Sequence, residues 1–363
     1  MTRVPPPHRA APAVGGAGAA VRAGATAAIE PTGLEEVAGP IAPRRAGVPD
    51  PDGGGLDFVL GIDVGGTKVA VATAARDGRV LRRTRIDTDA SRGALQTVER
   101  ALDTAERLRA ETSAETGGRC LGAGVASPGV VHEDRVLMAP NIPGWGELSL
   151  PALVREHLDI AEVAAANDVK AAGLAEARWG ALRGVDPGIY LNLGTGLAAA
   201  LVVGGRVLGG AHNAAGEIGY LLRGPHDTAG AASDRAPLEE YFSGMGLARR
   251  GAELLGGSPT AADLFGSTEP RVRELVDEAL DQLAVHVANL ATTLDPQRIA
   301  VGGGMMRSAE RIFPVLRARL GEAVPFPPEL VPSAYPNDSA LHGALALILD
   351  ALGLPATLTD EVA

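Results

Sequence analysis

The chain has 363 residues, 46% of them hydrophobic and only 3% aromatic, which allows two domains with cores of small aliphatic side chains. A formal net charge of −11 argues against a nucleic-acid-binding body and, more weakly, against an anionic membrane surface. The single cysteine, Cys120, excludes an internal disulfide and a cysteine-based metal cluster. No apolar run reaches membrane-spanning length, and the start, Met1-Thr-Arg-Val-Pro-Pro-Pro-His8, has no apolar stretch of a secretory signal. A soluble cytoplasmic protein is the expectation.

Residues 1–55 are rich in Ala, Gly and Pro, carry Pro5-Pro6-Pro7 and Gly53-Gly54-Gly55, and show no sustained periodicity. Such a segment buries too little apolar surface to offset its ordering entropy, so it reads as a disordered tail. Its basic residues (Arg3, Arg9, Arg22, Arg44, Arg45) are matched by acids, and no helix-turn-helix pattern supports a DNA-binding arm. Order begins at Leu56, with a buried strand to Ile62 and two more strands at 69–74 and 80–86. A helix follows over 94–114, a strand over 121–126 ending in Ser127-Pro128-Gly129, a helix over 150–158, and a strand over 161–166 aimed at Asn167-Asp168. After a helix over 170–179, a second three-strand meander occupies 188–208. A long helix at 270–294, a strand at 298–301 ending in Gly302-Gly303-Gly304, and helices at 308–320 and 339–352 complete the reading. Strands alternating with helices around two meanders indicate an α/β fold with mixed sheets.

The most informative feature is a phosphate-loop signature that occurs twice. The first copy is Asp63-Val-Gly65-Gly66-Thr67-Lys68 and the second Leu193-Gly194-Thr195-Gly196. Each is followed by an apolar strand and a Gly-Arg-Val-Leu turn. Glycines let the backbone approach an anion with its N–H groups forward, and the Thr hydroxyl adds a donor. One Gly-rich hairpin is weak evidence. Two in one chain suggest related lobes gripping one polyphosphate.

These residues, with Ser127-Pro-Gly-Val130, Asn141-Ile-Pro-Gly-Trp145, Asn167-Asp168, Gly216-Glu217-Ile-Gly219 and Gly302-Gly-Gly304 in that order, resemble the ROK family of repressors and sugar kinases. The likeness covers about residues 57–352 and is closest to glucokinase-type hexose kinases. It implies a two-lobed actin-like ATPase (ribonuclease H-like) fold with mixed sheets flanked by helices. Residues 56–170 would form the N-terminal lobe and 171–338 the C-terminal lobe, with the last helix, about 339–363, packing back on the first. The implied reaction is ATP-dependent phosphorylation of a hexose, glucose first, at its 6-hydroxyl. Mannose, fructose, an N-acetylated hexosamine, or polyphosphate as donor are alternatives within that class. A catalytically weak sugar-binding regulator is the alternative outside it. A homodimer is the implied assembly, without nucleic-acid or membrane partners.

Asp168 is the candidate general base, because a hydroxyl attacking a γ-phosphoryl group must lose its proton. Taken alone, Asn167-Asp168 also reads as a helix cap. Asp63 lies beside the first turn, where a carboxylate would repel phosphate unless Mg²⁺ intervened, held mostly by water and phosphate oxygens. Gly65, Gly66, Thr67, Gly194, Thr195 and Gly196 are assigned to the phosphates, with Lys68 either a phosphate contact or a solvated residue. Gly302, Gly303 and Gly304 would let adenosine lie against backbone. By resemblance, Asn141, Asn167, Asp168, Glu217 and Glu239 are the sugar contacts.

The chain departs from the family pattern at its zinc site. Tyr220 stands at the position of a ligand His, and 224–237 holds no cysteine, so no zinc is expected and the loop should be mobile. Trp145 is expected beside the cleft, and Trp179 in a core or interface. His132, His212, His286 and His342 have no ligand spacing.

Overall fold

The computed structural model describes residues 55–139 and 143–354. The expectations for the tail and for Asn141 fall outside these residues, as does the stretch 355–363. The chain opens with β1 (Phe58–Val64), β2 (Lys68–Ala75) and β3 (Val80–Asp87), then α1 (Ala94–Thr116) and β4 (Cys120–Ser127). A small hairpin of β5 (Val130–Val131) and β6 (Val136–Leu137) precedes α2 (Leu150–Leu158), β7 (Val163–Asn167) and α3 (Asp168–Trp179). The second half begins with β8 (Gly188–Leu193), β9 (Leu197–Val203) and β10 (Arg206–Val207). Next come α4 (Pro237–Tyr241), α5 (Gly244–Leu255), α6 (Ala261–Gly266) and the long α7 (Pro270–Leu294). The chain closes with β11 (Arg298–Gly302), α8 (Ala309–Ala323), β12 (Glu329–Pro332) and α9 (Ser339–Ala351).

The repeated signature has a repeated topology behind it. One sheet has the order β3-β2-β1-β4-β7 and the other β10-β9-β8-β11-β12. In each, an antiparallel meander is extended by two parallel strands through crossover helices. The copies differ at their edges: β3 has eight residues, whereas β10 has two, shorter than the strand expected up to Leu208. Short edge strands limit pairing with other chains.

Apolar spacing explains the helices. Ala94, Val98, Ala101, Leu102, Ala105 and Leu108 lie on one face of α1 and pack with Leu60, Ile62 and Val71. Gly117, at φ 66, then ends the helix in the left-handed conformation. The second sheet buries Ile189, Leu191 and Val301 against Val276, Leu280 and Leu283 of α7 and Leu316 of α8. On the other face of the first sheet, Val59, Ala72 and Ala74 meet Leu341, Leu345 and Ile348 of α9. On the second, Tyr190, Ala200 and Val202 meet Val169 and Ala172 of α3.

Helices α3 and α9 cross with almost no side chain between them. A Cβ on Gly343 would lie 2.1 Å from the Ala171 backbone, and α9 comes as close to β4, where one on Gly124 would lie 1.8 Å from the Ala344 carbonyl oxygen. Only glycine permits that approach. Nearby, the fully buried Glu176 of α3 accepts four hydrogen bonds from neutral donors. They are Ala181 N–H (2.7 Å), Ser333 Oγ (2.5 Å), and the N–H groups of Ala334 and Tyr335 (3.2 Å each). These bonds fasten the loop between β12 and α9 to α3 and satisfy a carboxylate that would otherwise be costly to bury.

Candidate active site

Strand register brings the candidate acidic residues together. Asp63 pairs with Ala126 across β1 and β4, and Ser127 with Asn167 across β4 and β7. All three strands run in parallel, so their carboxyl ends open on one side, where ligands of α/β sheets bind. Asp63 stands one residue before the end of β1, and Asp168 begins α3 directly after β7.

Asn167 is the N-cap of α3. Its Oδ1 accepts from Val169 N–H (2.9 Å) and Lys170 N–H (3.2 Å), and its Nδ2 donates to the Gly129 carbonyl at 3.0 Å. One side chain thus fixes both the helix start and the Ser127–Gly129 turn. Below that turn, Trp145 is fully buried and donates from Nε1 to Ser127 Oγ at 3.0 Å. It therefore braces the Ser127 turn from within the core. Trp179 joins the core around α9, and a Cβ on Gly78 would lie 2.6 Å from its ring.

The two aspartates share an unfavourable field. Burial raises Asp168 to about 6, Glu217 adds to the rise, and Val169 N–H and Lys170 oppose it. Burial raises Asp63 to about 7, the Asp168 charge adds to this, and Arg85 opposes it. Arg85 faces Asp63 across a single small residue, because Ala70 pairs with both. A carboxyl at about 6 is mostly ionised at neutral pH yet more basic than an ordinary carboxylate, which suits a proton acceptor. Asp63, repelled by its neighbour, fits a site for a divalent cation. Among the described residues no cluster of three His, Cys, Asp or Glu could hold a metal by itself, so water and phosphate would supply most ligands.

Lys170 is a residue that sequence reasoning passed over. It is buried, two positions after Asp168, and its Nζ lies 3.4 Å from Glu217 Oε1. A lysine in the first turn of a helix resembles many others, and Glu217 is 47 residues away, so no local pattern reveals the pair.

Both glycine turns have their carbonyls fastened from behind. In the first, Thr88 Oγ1 donates to Gly65 O (2.6 Å) and Thr88 N–H to Thr67 O (2.9 Å). In the second, the start of α5 does this work: Gly244 N–H donates to Gly194 O (2.8 Å) and Met245 N–H to Thr195 O (3.1 Å). In a trans peptide the C=O and the following N–H point in opposite directions. The N–H groups of Gly66, Lys68, Thr195 and Gly196 consequently face away from these anchors. Gly66, Thr67, Lys68 and Thr195 are exposed. Successive outward N–H groups of this kind form an anion cradle. Thr88 follows a strand with no motif around it, so nothing in the sequence marks its role.

The glycine triplet that begins at the last residue of β11 meets the second turn. Gly303 has φ 94, and a Cβ there would lie 2.5 Å from Leu193 O; one on Gly302 would lie 2.5 Å from the Tyr190 hydroxyl. Gly304 faces open space. Glu239 supports the same turn from the other side: its Oε2 accepts from Leu197 N–H at 2.8 Å, and a Cβ on Gly196 would lie 2.7 Å from that oxygen. Burial raises the Glu239 carboxyl, Leu197 N–H opposes this, and Glu217 and Glu240 add to it. Burial also raises the Tyr220 phenol, with Glu239, Glu217 and Asp234 contributing in that order.

The loop expected to be mobile is held by side chains. Arg223 Nε donates to Asp227 Oδ2 (2.6 Å), Arg235 to Asp227 Oδ1 (3.0 Å), and Arg235 again to Glu240 Oε2 (2.7 Å). Ion pairs thus supply the fastening that its Gly/Ala/Ser composition conceals.

A profile of the ROK family matches residues 59–351. An N-acetylmannosamine kinase from Shigella boydii is 31% identical over 294 residues, covering 79% of this chain and 97% of that protein. A glucokinase from Thermotoga maritima is 27% identical over 319 residues, covering 81% and 98%. The crystal structure of a ROK family glucokinase from Streptomyces griseus, in complex with glucose and AMPPNP, has a TM-score of 0.66 at 25% identity, covering 80% of this chain and 98% of that one. The paired mixed sheets flanked by helices are the actin-like ATPase architecture expected from the motifs. With cradle, carboxylates and sheet topology all inside the matched span, the chain belongs to the ROK family.

Proposed function

We propose that this chain, as a ROK sugar kinase, transfers the γ-phosphoryl group of ATP to the 6-hydroxyl of a hexose, with glucose the first candidate and Asp168 the general base. The observation that carries the reading is Asp168 itself, a carboxyl raised to about 6 at the start of α3 and flanked by Asn167 and Lys170. It accepts the hydroxyl proton as the new P–O bond forms, while the two cradles hold the phosphate chain. Asn141, Asn167, Glu217 and Glu239 complete the sugar set, and Gly302, Gly303 and Gly304 form the shelf for adenosine. Asn167 uses one N–H on Gly129, leaving its second for a sugar hydroxyl. Lys68, exposed where β2 begins, meets phosphate as a point charge. Mg²⁺ beside Asp63 would neutralise charge on the phosphate oxygens when bound.

In this reading residues 56–170 with the last helix, about 339–363, form one lobe and 171–338 the other, and the two close on the substrates to exclude water. The test is ADP release over a panel of glucose, mannose, fructose and N-acetylated hexosamines, with ATP and with polyphosphate as donors. Sugar-dependent ADP release lost in Asp168→Asn supports the reading. Sugar binding without ADP release from the unaltered chain overturns it.

A further inference from the structure

We propose that a closed circuit, Arg223–Asp227–Arg235–Glu240–Tyr241, made of side-chain contacts and of the chain itself between Glu240 and Tyr241, positions Glu239 and the second glycine turn for sugar phosphorylation. The inference rests on the sugar-kinase reading for its activity arm.

The segment from Tyr220 to Pro237 has little regular structure, with one 3-10 turn at Ala231–Ser233 and one bridge between Gly224 and Asp227. Helix α4 has only five residues and would not persist alone. The ring supplies what both lack. Each carboxylate oxygen of Asp227 takes a different guanidinium, from Arg223 and from Arg235. Arg235 then grips Glu240 Oε2 through two nitrogens, at 3.0 and 2.7 Å, while Glu240 Oε1 accepts from Ala236 N–H at 3.1 Å. Tyr241, the next residue, closes the circuit: the Arg223 guanidinium lies 4.1 Å from its ring centre, and Arg250 lies 3.8 Å away. Isolated exposed ion pairs contribute little, but a closed network restrains every member through two neighbours.

Two site elements depend on that restraint. Glu239 precedes Glu240 on α4 and reaches a different partner, Leu197 N–H at the end of the second turn. At the other end, Tyr220 and Glu217 lie in the turn just before Arg223. The ring therefore ties together the two ends of the segment that carry Glu217 and Glu239. Arg223 holds the Asp227 carboxyl below its ordinary value, and Arg235 does the same for Glu240, so the circuit stays charged through the neutral range.

The test compares Asp227→Asn and Asp227→Glu with the unaltered full chain. Amide hydrogen exchange at Leu197 needs no substrate; ADP release gives KM and kcat for the sugar found in the panel. Asp227→Asn should speed Leu197 exchange and raise the sugar KM, each by about tenfold, with kcat and the ATP KM within about twofold. Asp227→Glu should restore most of both. Arg235→Gln, which removes the guanidinium that Asp227 and Glu240 share, should reproduce the effect. Unchanged Leu197 exchange and sugar KM in folded Asp227→Asn overturn the proposal. Should that variant fail to fold, unchanged Leu197 exchange and sugar KM in Arg235→Gln overturn the proposal equally. A chain that phosphorylates no sugar defeats the kinase reading alone, because the exchange arm still decides the ring.

Discussion

Replacing Asp168 with Asn should cripple turnover and stabilise the protein at the same time. The wild-type carboxyl rises from an ordinary 3.8 to about 6 on folding, chiefly through burial. At about 1.36 kcal/mol per pH unit, holding it ionised in the native state costs roughly 3 kcal/mol. The sign follows from the direction: a carboxyl raised on folding favours the native state most below 3.8, and that advantage is lost as pH rises through about 6. Asn removes the charge and keeps an oxygen for Val169 N–H, now 2.8 Å from Oδ1. After about 1 kcal/mol is given back for burying an incompletely paired amide, the net gain at pH 8 is about 2 kcal/mol. For a single cooperative unit of about 300 residues that is about 3 °C in melting temperature. Turnover should fall roughly 10²–10⁴-fold, with sugar affinity nearly unchanged. Thermal melts at pH 8 and pH 4.5, paired with ADP release and calorimetry, measure all three. A variant less stable at pH 8, or equally stabilised at both pH values, would refute the burial argument. Undiminished turnover would refute the base.

Other substitutions test the supports of the site. Thr88→Val removes the hydroxyl that holds Gly65 O and should cost about 1 kcal/mol of stability while raising the ATP KM more than the sugar KM, as read from melts and initial rates. Lys170→Met leaves Glu217 without its cation and should destabilise by up to about 3–5 kcal/mol, discounted for the partial exposure of the pair. Adding Glu217→Gln to Lys170→Met should recover much of that loss in a double-mutant cycle, and strict additivity would show that the pair is not coupled.

The turns, most strands and the longer helices were legible because their signals are local. Gly65-Gly66-Thr67 and Gly194-Thr195-Gly196 lie between apolar runs, and the α1 stripe repeats at helical spacing. The pieces missed depend on distant partners. Thr88 acts on Gly65 from 23 residues away, and Glu176 meets Ser333 across 157. Strand β12 went unseen because its four residues sit at a sheet edge just after Pro327 and Pro328 and end in Pro332, where proline reads as a break. The short helix α4 was invisible as a helix, since it depends on Arg235 and on its packing. Charge along 223–240 was plain in the sequence, but which Arg meets which acid is a property of the folded loop.

Glu176 has a consequence for how the molecule comes apart. Its donors come from the segment just after α3 and from the strand-to-helix loop that leads into α9, so it joins both passages of the chain between the two sheets. Unravelling either sheet's half strips hydrogen bonds from a carboxylate still enclosed by the other half, and that half loses stability in turn. Cooperativity is therefore built into the crossing, and calorimetry should record a single melting transition whose two enthalpy estimates agree. Glu176→Ala, by cutting the shared anchor, should broaden that transition or split it in two.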